Sequence, residues 1–95
     1  MSIRFEWDNK KAAANFKKHR VNFEEAITVF SNPLAVIFDD EAHSVDEIRE
    51  IIIGHSVNNR LILVSFTERD GIIRIISARQ ATKQERKDYE ENIYG

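Results

Sequence analysis

The chain has 95 residues, of which 42% are hydrophobic and 32% charged, with a formal net charge of -2 and no cysteine. That is enough chain for one domain with one modest core, and too ordinary a composition for a disordered tail. The apolar runs are far too short to span a bilayer, and the lack of cysteine excludes disulfides and thiolate metal sites and fits a cytoplasmic setting. The net charge hides a segregation. Residues 1–20 hold six Lys/Arg against two Asp/Glu, residues 21–59 one against eight, and residues 60–95 seven against six. A basic side can meet nucleic acid, and an acidic side can meet a basic partner; the plainer reading is a solvated, charge-mixed surface.

The start, "MSIRFEWDNKK", has no long apolar stretch, so no secretory signal is expected. "IRFEW" alternates apolar and polar residues and predicts a short strand. "DNKKAAANFKKH" predicts a helix, with Asp8 or Asn9 as its cap. "NFEEAITVF" predicts a second, capped by Asn22, with Phe23, Ala26, Ile27 and Phe30 on one face. "LAVIFDD", "EIREIIIGHS", "NRLILVSFTER" and "IIRIISAR" then read as strands separated by turn chemistry. Ser44 and Glu47 match a capping box, but Ile51–Ile53 favour a buried strand over a helix. "TKQERKDYEENIYG" predicts a last helix, with Thr82 and Glu85 as a capping box. Its apolar stripe of Tyr89 and Ile93 is thin and predicts loose docking. The layout is α+β: two N-terminal helices cover one face of an antiparallel meander and leave the other face available, with a helix at the C-terminus.

The sharpest local signal is "TERDGIIRIISAR". Asp70-Gly71 as a two-residue loop predicts a type I′ turn. That register pairs Arg69 with Ile72, Thr67 with Arg74, Phe66 with Ile75, Ser65 with Ile76 and Val64 with Ser77. One face then collects Ile62, Val64, Phe66, Ile73 and Ile75 as core. The other collects Ser65, Thr67, Arg69 and Arg74. Arg79 falls on the core side, where it either clears the edge at the strand's end or is re-aimed by a β-bulge. Arginines beside hydroxyls on an open sheet suit a phosphate backbone, because the guanidinium forms bidentate hydrogen bonds and stays charged at any working pH. The alternative for each is a salt bridge to Glu68, Asp70 or the acidic middle segment.

The histidines are scattered. His19, at the basic end of the first helix, is either a proton-transfer group or a C-terminal cap. His43 in "DDEAHS" sits among possible metal ligands, although carboxylates gather in turns routinely. His55 is read as a turn residue without a role. Trp7 and Phe5 read as core rather than a base-stacking platform. No metal or cofactor motif is present, and neither is expected.

Together, "FEWDNKKAAANFKKHRVNFEEAITVF", "DDEAHS", "TERDG" and "IRIISARQATKQERKDYE" resemble the BrnT toxins of type II toxin–antitoxin systems, from about Phe5 to Glu90. Where the family pattern has Lys-His-Gly, this chain has Lys18-His19-Arg20. The resemblance implies one RelE-like toxin domain over residues 1–95. It implies a cytoplasmic ribonuclease that blocks translation and is neutralised by a BrnA-type antitoxin with a ribbon-helix-helix domain. Operator DNA is reached only through that complex, and no membrane is involved. RNA can be cut without metal by its own 2′-hydroxyl. On that scheme Arg69 and Arg79 stabilise charge, Lys18, Arg74 and Thr67 hold RNA, and His19 or Glu68 moves the proton. Tyr89 is a weaker candidate for either task. The rivals are a non-catalytic nucleic-acid or regulatory-protein binding module on the same face, and gyrase poisoning.

Overall fold

The computed structural model describes residues 3–43 and 45–94. In chain order they form β1 (Arg4–Glu6), α1 (Asn9–His19), α2 (Phe23–Thr28) running into a 3₁₀ turn, β2 (Val36–Asp39), β3 (Glu50–His55), β4 (Leu61–Arg69), β5 (Ile72–Gln80) and α3 (Lys83–Tyr94). The helix starts follow capping chemistry. Asp8 accepts from the Lys10 and Lys11 amides at 2.8 and 3.0 Å, so it and not Asn9 caps α1. Asn22 accepts from the Glu25 amide at 2.7 Å. Thr82 and Glu85 exchange amide bonds at 2.9 and 3.1 Å, a complete capping box. Ser44, half of the other capping-box match, lies outside the described residues, and a 3₁₀ turn occupies Glu41–His43 before β3.

The sheet order is β1-β5-β4-β3-β2. Strands β2 to β5 form the expected antiparallel meander, but β1 lies parallel to β5 and makes the sheet mixed. Alternation in "IRFEW" specifies a strand and not its neighbour or direction, so periodicity alone does not foretell this pairing. β1 covers only Ile72–Arg74 of the β5 edge. Further along, Asn15 of α1 takes over. Its buried amide donates to the Ala78 carbonyl at 2.8 Å and accepts from the Ala78 amide at 3.0 Å, much as a strand would. It also donates to the Val21 carbonyl at 2.9 Å. An unpaired edge is thereby closed by one side chain.

The main core lies between the sheet and α1–α2. Phe23, Ala26 and Val29 meet Ile52, Ile62, Val64, Phe66, Ile75 and Ala78, with Phe5 and Trp7 packed at the margin. A smaller cluster on the opposite face joins Ile53, Leu61 and Leu63 to Tyr89 and Ile93 of α3. The second face is therefore not wholly open: α3 closes one end, and the end nearer the hairpin tip remains accessible. Glu25 ties α2 to the β3–β4 turn. It is 6% exposed and accepts from Ser56 at 2.7 Å and from Arg60, whose hydrogen bonds are the main reason its carboxyl is held below the usual range.

Candidate active site

Two backbone features aim the arginines. The first is the hairpin tip, where Asp70 and Gly71 both have positive φ, 54° and 79°, as a type I′ turn requires. It fixes Arg69 opposite Ile72 and Thr67 opposite Arg74. The second is a bulge. Phe66 pairs with Ile75 but Ser65 pairs with Ser77, so Ile76 is one residue too many on β5. The expected pairings of Ser65 with Ile76 and Val64 with Ser77 are displaced by this single insertion. Ala78 turns into the core, and Ser77 and Arg79 turn onto the opposite face. Of the two readings of Arg79, the bulge is the one the fold uses.

Arg79 lines a recess of about 250 Å³ with Ser65, Ser77, Arg49, Asp40 and His43. Its terminal nitrogens donate to both Glu85 carboxylate oxygens at 2.7 and 2.8 Å, a fork that fixes the guanidinium plane. The Arg79 guanidinium, helped by the Thr82 amide, holds the Glu85 carboxyl down to about 2. Each terminal nitrogen carries two N–H groups and Nε carries one, so the fork does not exhaust the donors. Beside the hairpin tip a second recess of about 260 Å³ is lined by Thr67, Arg69, Arg74, Glu6 and Glu47. Arg74 lies 3.3 Å from Glu6, and Arg69, 78% exposed, only comes within 3.9 Å of Glu47. The salt-bridge partners are thus Glu85, Glu6 and Glu47; Glu68 and Asp70, the nearest in sequence, form none of these pairs.

The remaining sequence candidates are dispersed. Thr67 is buried and its hydroxyl donates to the Ile48 carbonyl at 2.8 Å. Alternation puts Glu68 on the side of Phe66, away from Arg69. Lys18 and His19 end α1 and line neither recess. Tyr89 is 4% exposed and its hydroxyl donates to the Leu34 carbonyl at 2.8 Å; it anchors α3. His55 ends β3 with its ring 5.9 Å from that of Tyr89, not in a turn. One group that the sequence offers only as a metal ligand does enter the site. His43 places Nδ1 3.0 and 3.1 Å from the Asp40 carboxylate oxygens. The Asp-x-x-His spacing in "DDEAHS" carries that signal, because it brings both side chains together on one tight turn. Among the described residues no group of three His, Asp or Glu side chains has metal-holding geometry.

Residues 7–85 match the model of a family described as the ribonuclease toxin, BrnT, of type II toxin–antitoxin systems. The chain belongs to the BrnT family. The crystal structure of the Brucella abortus ribonuclease toxin, BrnT, is similar over 86% of this chain and 100% of that one, with a TM-score of 0.68 and 25% identity. No curated protein matches. Membership of BrnT, a type II toxin family, brings with it an antitoxin partner. No helix among the described residues is long and apolar enough to cross a membrane.

Proposed function

We propose that this BrnT-family toxin, a RelE-like single domain, acts in the cytoplasm as a metal-independent RNA endonuclease and cuts its substrate on the open part of the sheet. The observation that supports this most is the placement of Arg79, turned by the bulge into an accessible recess beside two hydroxyls, with Arg74 and Arg69 further along the same face. A row of guanidinium groups follows a phosphodiester backbone, and those nearest the scissile phosphate offset the extra negative charge of the phosphorane. Arg79 and Arg69 take that task, Arg74 holds the chain, and Lys18 extends the basic surface at the end of α1. At about 250 Å³ the recess is smaller than the roughly 300–1,000 Å³ of sites that enclose a small molecule. It suits one phosphate and its sugars within a longer strand.

Neutralisation is by a BrnA-type antitoxin that covers this face, and its ribbon-helix-helix domain carries the complex to operator DNA. The test is incubation of the purified protein with total RNA, with and without EDTA, and with the antitoxin added. Cleavage that survives chelation and stops on antitoxin binding is expected. Loss of cleavage on chelation, restored by one divalent ion, would overturn the metal-free scheme. RNA binding without products would make the face a non-catalytic binding module.

A further inference from the structure

The face described so far has cations and hydroxyls, but transfer of the 2′-hydroxyl proton needs a base. His19 and Glu68 line neither recess, whereas His43 lines the same recess as Arg79. We propose that His43, oriented by Asp40, is the proton-transfer residue of this site; the inference rests on the reading of the open face as the RNA-cleaving surface.

The geometry carries it. His43 sits in the 3₁₀ turn Glu41–His43 at the mouth of the sheet face, and Asp40 precedes that turn. The Asp40 carboxylate lies 3.0 and 3.1 Å from Nδ1, so the proton of a neutral ring belongs on Nδ1 and the lone pair on Nε2. The same carboxylate stabilises the imidazolium once formed, as the acid does in a Ser-His-Asp triad. The His43 side chain is 66% exposed, so Nε2 is reachable by a polymer, and Asp40, at 15%, is the sheltered partner. This pairing explains what a solvated turn leaves unexplained: a carboxylate–imidazole pair on the rim of the recess that Arg79 lines.

Neutral His43 accepts the 2′-hydroxyl proton at Nε2. The 2′-oxygen forms a bond to the adjacent phosphorus, and Arg79 faces the charge that builds on the phosphorane. The bond from phosphorus to the 5′-oxygen breaks, leaving a 2′,3′-cyclic phosphate. The departing oxygen takes a proton from water, and the hydroxide so formed recovers the proton held by His43. No electron is gained or lost.

The test compares wild type, His43→Ala, His43→Gln, Asp40→Asn and Arg79→Ala on one RNA. Binding is measured separately with a 2′-O-methyl oligonucleotide, which cannot be cleaved. His43→Ala is expected to slow cleavage by about 10²–10⁴, the usual worth of a general base, and to change binding less than threefold. Added imidazole should restore part of the rate to His43→Ala and none to Arg79→Ala. Asp40→Asn should lower the rate without weakening binding. Full cleavage by both His43 variants, with Arg79→Ala inactive, would overturn the His43 assignment and leave the open-face reading standing. Full activity in all three backgrounds would remove both. Lost cleavage in His43→Ala that tracks a lowered melting temperature, with no imidazole rescue, would make His43 structural.

Discussion

At Arg20 the backbone is left-handed, φ 58° and ψ 31°, and its amide closes α1 on the Phe16 carbonyl at 2.8 Å. That is the helix-terminating position where glycine is favoured. A Cβ there costs about 1–2 kcal/mol. The arginine recovers some of it: its guanidinium stands 5.7 Å from the centre of the Phe16 ring, an interaction worth about 0.5–1 kcal/mol at an exposed site. Arg20→Gly should therefore raise stability by roughly 0.5–1 kcal/mol, and Arg20→Ala should lower it, both read from urea melts. A lower midpoint for the glycine variant would show that the aromatic interaction outweighs the strain. Arg69 presents the opposite case. It is 78% exposed and 3.9 Å from its nearest carboxylate, so Arg69→Ala should cost no more than about 0.5 kcal/mol of stability. On the proposed function, in which Arg69 meets phosphate, the same variant should give up roughly 1.5–3 kcal/mol of binding or transition-state stabilisation. Arg69→Lys keeps the charge and removes the fork; full activity of that variant would mean a point charge suffices. Unfolding of Arg69→Ala would make this side chain a structural ion-pair partner.

The C-terminal helix shows how one element serves packing and site together. Its stripe is thin, as its sequence implies, and it is held by buried Tyr89, by Ile93 and by the Arg79–Glu85 fork. Glu85 titrates at about 2 in the fold against 4.5 in the free side chain. A carboxyl with a lowered folded value binds fewer protons folded than unfolded, so its stabilisation is complete above about pH 4.5 and is lost as the pH falls towards 2. Urea melts followed by Trp7 fluorescence should show this acid limb, and Glu85→Gln should flatten it in that window; an unchanged slope would contradict the pairing. The Thr82–Glu85 capping box, the helix faces and the hairpin tip are legible in the sequence because each is written within a few adjacent residues. The bulge at Ile76 is not, since two adjacent isoleucines fit either face until packing decides which is inserted. Asn15 is equally silent: nothing local says that an amide in an alanine-rich helix will close a sheet edge 63 residues away. The same limit scatters the site. Alternation finds Arg69 and Arg74 on the accessible face but leaves Arg79 undecided, while Thr67, placed on that face by the same alternation, is buried by its neighbours.

Across the whole molecule, the mixed sheet separates a packed side from a partly accessible side. The helices α1 and α2 enclose the main core on one face, and α3 leaves part of the other accessible. The acidic middle of the chain contributes Asp40 and Glu47 to that accessible face, beside the arginines of the hairpin. The face is thus not uniformly basic. Arg79 is fixed by Glu85 and Arg74 is paired with Glu6, while Arg69 is left largely to solvent. Cleavage of RNA at Arg79 is the centre of the proposed function. The most direct measurement is the single-turnover cleavage rate of one RNA by wild type, Arg79→Ala and Arg79→Lys, each checked for folding by its thermal melt. A loss of about 10²–10³ in rate for the alanine variant, with partial recovery in lysine, is the predicted result. A folded Arg79→Ala protein that cleaves at the wild-type rate would contradict it.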